Sequence, residues 1–466
     1  MQIAALIVAT AFKQCDPEQS DSHLLGKLAP VDASVSSAPR WLRVRLCAMM
    51  FLEYVPPALW AVTLGTYIIA NTGSSGNQLF DSRFAGLAGI SGALGAIAAP
   101  LLVGGIADRF LATQWVLAAL HACCAVCLWF LSRGWSQPWF FAALIAYFQF
   151  FVPTFSLTNS LALRHLPRSR EQFPAVRAWG TVGWVIAGLF IGFGWPAWFG
   201  ESIEATTLPM LLAVVAHVVM ALYCLTLPHT PPETIGRLGW QSLTQGGAWT
   251  LLRQPRVLMF LTISMLACVP VQFYYSFLNA YMNTMGIHGA AGIMSLGQVC
   301  EIACLISMPW MLRRVGIKHT FMLGLLAWVL RYALMAAGAI TGSFVALVVA
   351  ILLHGFCYVF VYVSGQLYLD YLAGPRSRSA AQGLSVLATS GLGHLTGAIL
   401  AGSAQARYLT PPGVSPPPFD WLTFWLLPLA MFVGVLLLFL ATFRVTEEST
   451  APATLPVAPV IEPATG

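Results

Sequence analysis

Charge is scarce in this chain. Only 9% of its 466 residues are Asp, Glu, Lys or Arg, where a soluble domain carries about 25%. Ordinary water-facing surface cannot be built from so few ionic groups. A G-x-x-x-x-G-K-[ST] phosphate loop is also missing, which argues against direct drive by ATP. No H-E-x-x-H segment or Ser/His/Asp grouping stands out, so an enzyme working inside the membrane would lack its reactive pair or its metal. Ten cysteines are present, but nearly all fall inside apolar runs, where thiols behave as small hydrophobes. His121, Cys123, Cys124 and Cys127 have no second ligand cluster to complete a metal site. Neither metal nor cofactor is expected.

Long apolar stretches dominate instead. The chain is 58% apolar, with a mean hydropathy of +0.76. A membrane crossing needs about 20 mostly apolar residues. Twelve windows qualify, near 46–70, 84–106, 112–132, 139–163, 178–199, 206–227, 256–282, 288–311, 318–340, 343–370, 380–402 and 420–442; they are called spans 1 to 12. Backbone amides cannot stay unpaired in lipid, so each must be helical. The expected fold is all-α and integral to the membrane.

Basic residues give the topology. About eighteen of the 23 Lys and Arg fall on the side holding the N-terminus and about three on the other. Such an excess marks the cytoplasmic side, so both termini are expected there. The net charge of +6 follows from that bias and implies no nucleic-acid surface. The run Ile3 to Phe12 is too short to span and lacks a basic stretch before it, so no signal peptide is expected. The expected organisation is a disordered cytoplasmic tail over 1–40, a six-helix bundle over 41–227 and a central cytoplasmic loop over 228–254. A second six-helix bundle over 255–444 and a disordered tail over 445–466 complete it. Trp240 to Leu252 could form a short surface helix.

Six spans, a cytoplasmic loop and six more spans match the major facilitator architecture of two bundles related by an axis along the membrane normal. The loop between spans 2 and 3 reads Gly104-Gly-Ile-Ala-Asp108-Arg109. It resembles the G-x-x-x-D-R/K loop of that superfamily, without the basic residues that usually follow, and is the candidate conformational loop. Small residues recur at packing intervals: Gly86, Gly89, Gly92 and Gly95 in span 2, Gly188 and Gly192 in span 5, Gly393 and Gly397 in span 11. They let helix backbones approach closely where lipid supplies no hydrophobic drive. Pro100 and Pro153 can kink spans 2 and 4.

Ionisable side chains at membrane depth cost about 2.5–3.5 kcal/mol on insertion scales, so the few present are functional candidates. Gln298 and Glu301 share a face of span 8 at i, i+3. Gln272, Tyr275 and Asn279 form a stripe on span 7. His354, Tyr358, Tyr362 and Gln366 form one on span 10, and Arg177, Thr181 and Trp184 one on span 5. Turned inward, these stripes would line a cavity with amides, a carboxylate, a guanidinium and flat rings. That chemistry suits a neutral polar ligand with a planar part. Duller readings stand beside these. Arg177 could cap span 5 or hold lipid headgroups. Arg331 reads as a structural ion-pair or snorkelling residue, Asp370 as a partner of loop arginines such as Arg376, and lone histidines as satisfied by backbone carbonyls.

At these residues the chain resembles the bacterial nucleoside:proton symporters of the major facilitator superfamily. The matching stretches are Trp60 with Thr63-Leu64-Gly65, Gly105 to Asp108, Pro153-Thr154 with Leu157 and Asn159, and Arg177-Ala-Trp179-Gly180-Thr181-Val-Gly183. They continue with Leu225 to Pro231, Ile293-Met-Ser295 with Gln298 and Glu301, Gly316-Ile-Lys318, Trp328 to Arg331, Ser364-Gly365 and Ala381-Gln382-Gly383. The resemblance implies a substrate held between the bundles by Arg177, Thr181, Gln272, Gln298 and Glu301. It also exposes departures. Trp184 stands for a Phe, Tyr275 for an Asn, His354 for a Tyr and Tyr358 for a Phe. Val359 occupies the span-10 position where the family has an Asp implicated in proton coupling. Glu53 replaces a Gln in span 1, as if a carboxylate had moved across the cavity. Glu301 and Glu53 are therefore the proton-coupling candidates.

The resemblance thus implies a monomeric secondary transporter of the bacterial inner membrane that takes up nucleosides with protons by alternating access. Three alternatives stay open: a major facilitator carrier for a sugar, peptide or drug, a nucleoside facilitator without proton coupling, and a transporter-like sensor that binds without transporting.

Overall fold

The computed structural model describes residues 40–72, 79–102, 111–166, 169–231, 247–409 and 419–443. The expected tails, the Gly104–Arg109 loop and most of the central loop lie outside these residues. Within them the chain is helical apart from its turns and a single bridge between Thr72 and Phe80.

Among the described residues nine helices are long and apolar enough to cross a membrane. Two shorter apolar helices, Phe84–Ala98 and Leu208–Cys224, occupy spans 2 and 6. The longest, Ala290–Thr341, contains spans 8 and 9 and reverses at Gly316, where φ is 75° and ψ is 170°. Only glycine enters that region without a side-chain penalty. Gly374, with φ 67°, makes the equivalent turn between spans 10 and 11. The twelve expected crossings are thus present. Of the proposed surface helix, Gly247–Leu252 is described and helical.

The helices are inside-out by soluble standards. Trp198, Ile306 and Val345 are at least 70% exposed, which suits a surface facing acyl chains. Buried inside are polar side chains, among them Glu53, His121, His217 and Arg331, each fully shielded.

Several crossings are broken near their middle. Span 1 divides into Arg40–Trp60 and Leu64–Ala70. Spans 5, 10 and 11 contain π-helical segments at Phe190–Gly194, Val359–Val363 and Leu387–Gly393. Such widened turns release backbone groups and often accompany functional sites. Span 10 also interrupts at Leu353, between Phe344–Leu352 and His354–Tyr358. Arg331 of span 9 reaches into that break. Its Nε donates to the carbonyl of Ala350 at 2.8 Å and its Nη2 to that of Ile351 at 3.3 Å. Its guanidinium lies 4.1 Å above the Tyr274 ring and 4.8 Å above the Trp328 ring. The expectation of a snorkelling or ion-paired arginine is therefore corrected. Freed carbonyls and ring faces solvate this cation inside the bundle.

Glycine brings the two halves together. A Cβ at Gly65 of span 1 would sit 2.0 Å from the carbonyl oxygen of Ser276 in span 7. One at Gly86 of span 2 would sit 2.1 Å from the amide of Gly402 in span 11, and one at Gly192 of span 5 would sit 2.4 Å from the amide of Gly292 in span 8. All three approaches lie toward the face opposite the start of span 1. Glu204, in the turn between spans 5 and 6, adds a polar latch there. Its carboxylate is 1% exposed and accepts hydrogen bonds from Asn279 at 2.9 Å, Asn283 at 2.8 Å and the backbone amide of Ala291 at 3.0 Å. Thr66 of span 1 bonds the Asn279 side chain from the other half.

Candidate functional site

Between the halves lies a cavity of about 300 Å³, at the lower end of the range for small-molecule sites. Span 1 contributes its broken segment, Ala61 to Gly65; span 2 contributes Gly89 and Gly92. Trp184 of span 5, Gln272 and Tyr275 of span 7, Gln298 of span 8, His354 of span 10 and His394 of span 11 complete the wall. The sequence expectation for Trp184, Gln272, Tyr275, Gln298 and His354 places them together, and they are together.

The glycines of span 2 shape this wall. A Cβ at Gly89 would lie 2.1 Å from Nε2 of Gln272, so a larger residue there would expel the amide. Gln272 donates to Ser276 Oγ at 3.0 Å. Gln298 is different: its buried Oε1 has no hydrogen-bond partner among the described residues. Nε2 of His394 is likewise buried and unpartnered. Unpaired buried polar atoms cost about 1–3 kcal/mol each, so two of them on one cavity wall mark where a polar ligand would be stabilised. In the sequence no spacing ties His394 to the stripes.

The other expected site residues lie outside this wall. Glu301 is 3.8 Å from Nε2 of His354, with its side chain 18% exposed. Tyr358 follows on the same helix, its ring 6.0 Å from the His354 ring, and Tyr362 continues the row at 5.0 Å. Arg177 lays its guanidinium on Tyr54 at 4.3 Å and is within electrostatic reach of Glu301. Thr181 is half-buried one turn on from Arg177 and is not part of the wall. Asn279, expected to continue the span-7 stripe, is at the Glu204 latch. Span 7 runs from Pro255 to Thr284, and its last turns pass beyond the cavity. Gly104, Asp108 and Arg109 lie outside the described residues. Asp370 accepts from Gln382 at 2.6 Å; the side chain of Arg376 lies outside the described residues.

Two expectations about span-1 and lone-histidine chemistry are corrected. Glu53 does not face the cavity. It is sealed inside the first six helices, 3.1 Å from Nε2 of His121 and 2.5 Å from Oγ1 of Thr154. His121 and His217 bond each other, Nδ1 to Nδ1 at 2.9 Å, rather than backbone carbonyls. Val359, where the resemblance implies an aspartate, is fully buried with Cys304, Met308 and Phe360 in an apolar cluster. Among the described residues no group of three His, Cys, Asp or Glu could hold a metal ion.

The family model described as nucleoside H+ symporter matches residues 41–448. The putative nucleoside transporter YegT of Escherichia coli (strain K12) is 34% identical over 410 residues, covering 87% of this chain and 94% of its own. Nucleoside permease NupG of the same organism is 27% identical over 419 residues, covering 86% and 96%. The crystal structure of nucleoside transporter NupG superposes with a TM-score of 0.76 at 26% identity, covering 87% of this chain and all of that one. The POT family transporter PepTSo shares the fold alone, with a TM-score of 0.62 at 14% identity. Twelve crossings, a cavity between two bundles and a match over almost the whole chain agree: this protein is a membrane transporter with the major facilitator fold, and it belongs to the nucleoside H+ symporter family.

Proposed function

We propose that this chain moves nucleosides into the bacterial cytoplasm together with protons, with its substrate in the cavity between the bundles. The observation that carries the reading is the cavity between the bundles, whose wall combines the polar side chains of Gln272, Gln298 and His394 with the flat rings of Trp184, Tyr275 and His354. A nucleoside presents both complements: donors and acceptors on base and ribose for Gln272, Gln298 and His394, and a planar face for the rings. Glu301 adjoins this wall through His354 and is the candidate for exchanging a proton near the substrate. Arg177, Thr181 and Tyr358 act from just beyond the wall, Arg177 as the cation nearest Glu301.

Both termini are cytoplasmic in this reading, and the chain works as a monomer in the inner membrane. The glycine contacts and the Glu204 latch then seal the outer face, so the conformation is the inward-facing one. Opening outward separates Gly65 from Ser276 and Asn279 from Glu204. Boundaries of 41–227 and 255–444 define the moving bundles.

Competition against uptake of labelled uridine in proteoliposomes tests the substrate. Inhibition by unlabelled uridine and adenosine, without inhibition by a hexose or a dipeptide, is expected. Inhibition by the dipeptide or hexose alone would hand the cavity to a different solute class.

A further inference from the structure

Inside the first bundle, six side chains that are not part of the cavity wall, drawn from four helices, form one continuous row. Thr154 Oγ1 is 2.5 Å from Glu53 Oε1, and Glu53 Oε2 is 3.1 Å from His121 Nε2. His121 Nδ1 is 2.9 Å from His217 Nδ1, and His217 Nε2 is 3.1 Å from the Tyr147 hydroxyl. Trp60 Nε1 closes the row, 3.3 Å from the same hydroxyl. Glu53, His121, His217, Tyr147, Thr154 and Trp60 are all fully shielded.

Donor and acceptor rules orient this row. An indole N–H can only donate, so Trp60 gives its hydrogen to Tyr147. Tyr147 then donates to His217 Nε2, which leaves the His217 hydrogen on Nδ1. That hydrogen goes to His121 Nδ1, which places the His121 hydrogen on Nε2, aimed at Glu53. Both imidazoles are neutral in this arrangement. At the far end Thr154 has one hydrogen and two neighbours, Glu53 at 2.5 Å and the carbonyl of Phe151 at 2.6 Å. If Glu53 is a carboxylate, Thr154 must abandon one of them. If Glu53 carries a proton on Oε1, that proton goes to Thr154 and the Thr154 hydrogen goes to Phe151. Each of these contacts is then satisfied, and no uncompensated charge is buried, a state that would cost several kcal/mol.

We propose that Glu53, supported by His121, His217 and Thr154, is a single-proton store inside the first bundle, filled in this conformation and emptied once per transport cycle. The inference rests on the transport reading of the cavity. Loading forms one O–H bond at Glu53 from an extracellular hydronium, and emptying returns that proton to cytoplasmic water. The neighbouring groups come from every helix packed around the store: Tyr54 on span 1, Cys124 and Cys127 on span 3, Cys224 on span 6, and Arg177 on span 5 above Tyr54. Among the described residues His121 is the only ion-pair partner of Glu53. The row also has a mechanical tie to the substrate. Trp60 is the last residue of the first helix segment of span 1, and Ala61 to Gly65, just after it, line the cavity. Bending at that break moves the Trp60 donor, which sets the direction of the whole row.

Glu53→Gln is the informative variant. Its amide reproduces the loaded geometry, accepting from His121 and donating to Thr154, without a proton to release. Two readouts are taken on purified protein and proteoliposomes. Infrared spectra of the wild type at neutral pH should show a carboxylic-acid band that disappears in Glu53→Gln. Glu53→Gln should lose pH-driven accumulation of labelled uridine down to the equilibrium level while keeping uridine counterflow. A wild type with no such band, a Glu53→Gln protein that still accumulates, or one that loses counterflow as well would each overturn the proton store. A wild type that shows the band but transports no nucleoside would instead strike the transport reading and leave the filled carboxyl standing.

Discussion

Among the described residues, the shielded carboxyl, imidazole and guanidinium groups of the first six crossings are Glu53, His121 and His217, and those of the last six are Arg331 and His354. The first set neutralises itself. A carboxyl, two imidazoles and a phenol hand hydrogens along one line, and the cation nearby, Arg177, stays on the far side of Tyr54. The second set keeps a permanent charge and spreads it over two carbonyls of the span-10 break and two aromatic faces. From there His354 passes the polarity outward, with Nδ1 3.4 Å from Arg331 Nη1 and Nε2 3.8 Å from Glu301. One bundle can therefore gain and lose a proton at depth. The other uses a fixed cation to hold a broken helix and to orient a histidine beside the substrate space. A guanidinium cannot be deprotonated in a protein, which suits the anchor and disqualifies it as a store.

The largest effect should come from breaking the anchor. Arg331→Met leaves the carbonyls of Ala350 and Ile351 without the guanidinium donors in a fully buried site, and should cost about 1–3 kcal/mol for each. Thermal unfolding of the purified protein checks this; a melting temperature equal to wild type would mean the arginine holds nothing. Next is Glu53→Ala, which orphans the His121 donor and takes from Thr154 the hydrogen it accepts, and should cost about 1–3 kcal/mol. Glu53→Gln should melt close to wild type. Equal losses in both variants would show that volume, not hydrogen bonding, matters at this position.

A smaller change is expected at the cavity. Gln298→Ala removes an unpartnered oxygen, so the empty protein should be no less stable. Uridine binding should weaken about tenfold, worth about 1.4 kcal/mol. Calorimetric titration decides it, and unchanged affinity would remove Gln298 from the substrate contacts. The smallest is Trp60→Phe, which takes away the donor that sets the row's direction for about 1 kcal/mol. The pH dependence of uridine exchange should shift in this variant. An identical profile would detach the indole from proton handling.

The crossings were legible because lipid permits one backbone solution and fixes its length. The shared faces were legible too: Gln298 beside Glu301, and Gln272 beside Tyr275, follow from helical periodicity. Depth was not. Periodicity tells which way a side chain points, not how far along the membrane it lies, so Asn279 was grouped with Gln272 although it belongs to the latch. Partners on other helices were also hidden. His121 and His217 are separated by 96 residues, and nothing local to either names the other. Glu204 sits in a short turn, where a carboxylate looks solvated. Only the packing of spans 7 and 8 against that turn buries it. Arg331 misled because its solvent is made of a helix break that no single span reveals.

Labelled uridine uptake into proteoliposomes, with and without an inward proton gradient, probes the joint action of cavity and proton most directly. The account predicts saturable uptake that rises above equilibrium only while the gradient stands and collapses when a protonophore is added. Uptake that ignores the gradient, or no saturable uptake of any nucleoside by a folded and inserted protein, would contradict it.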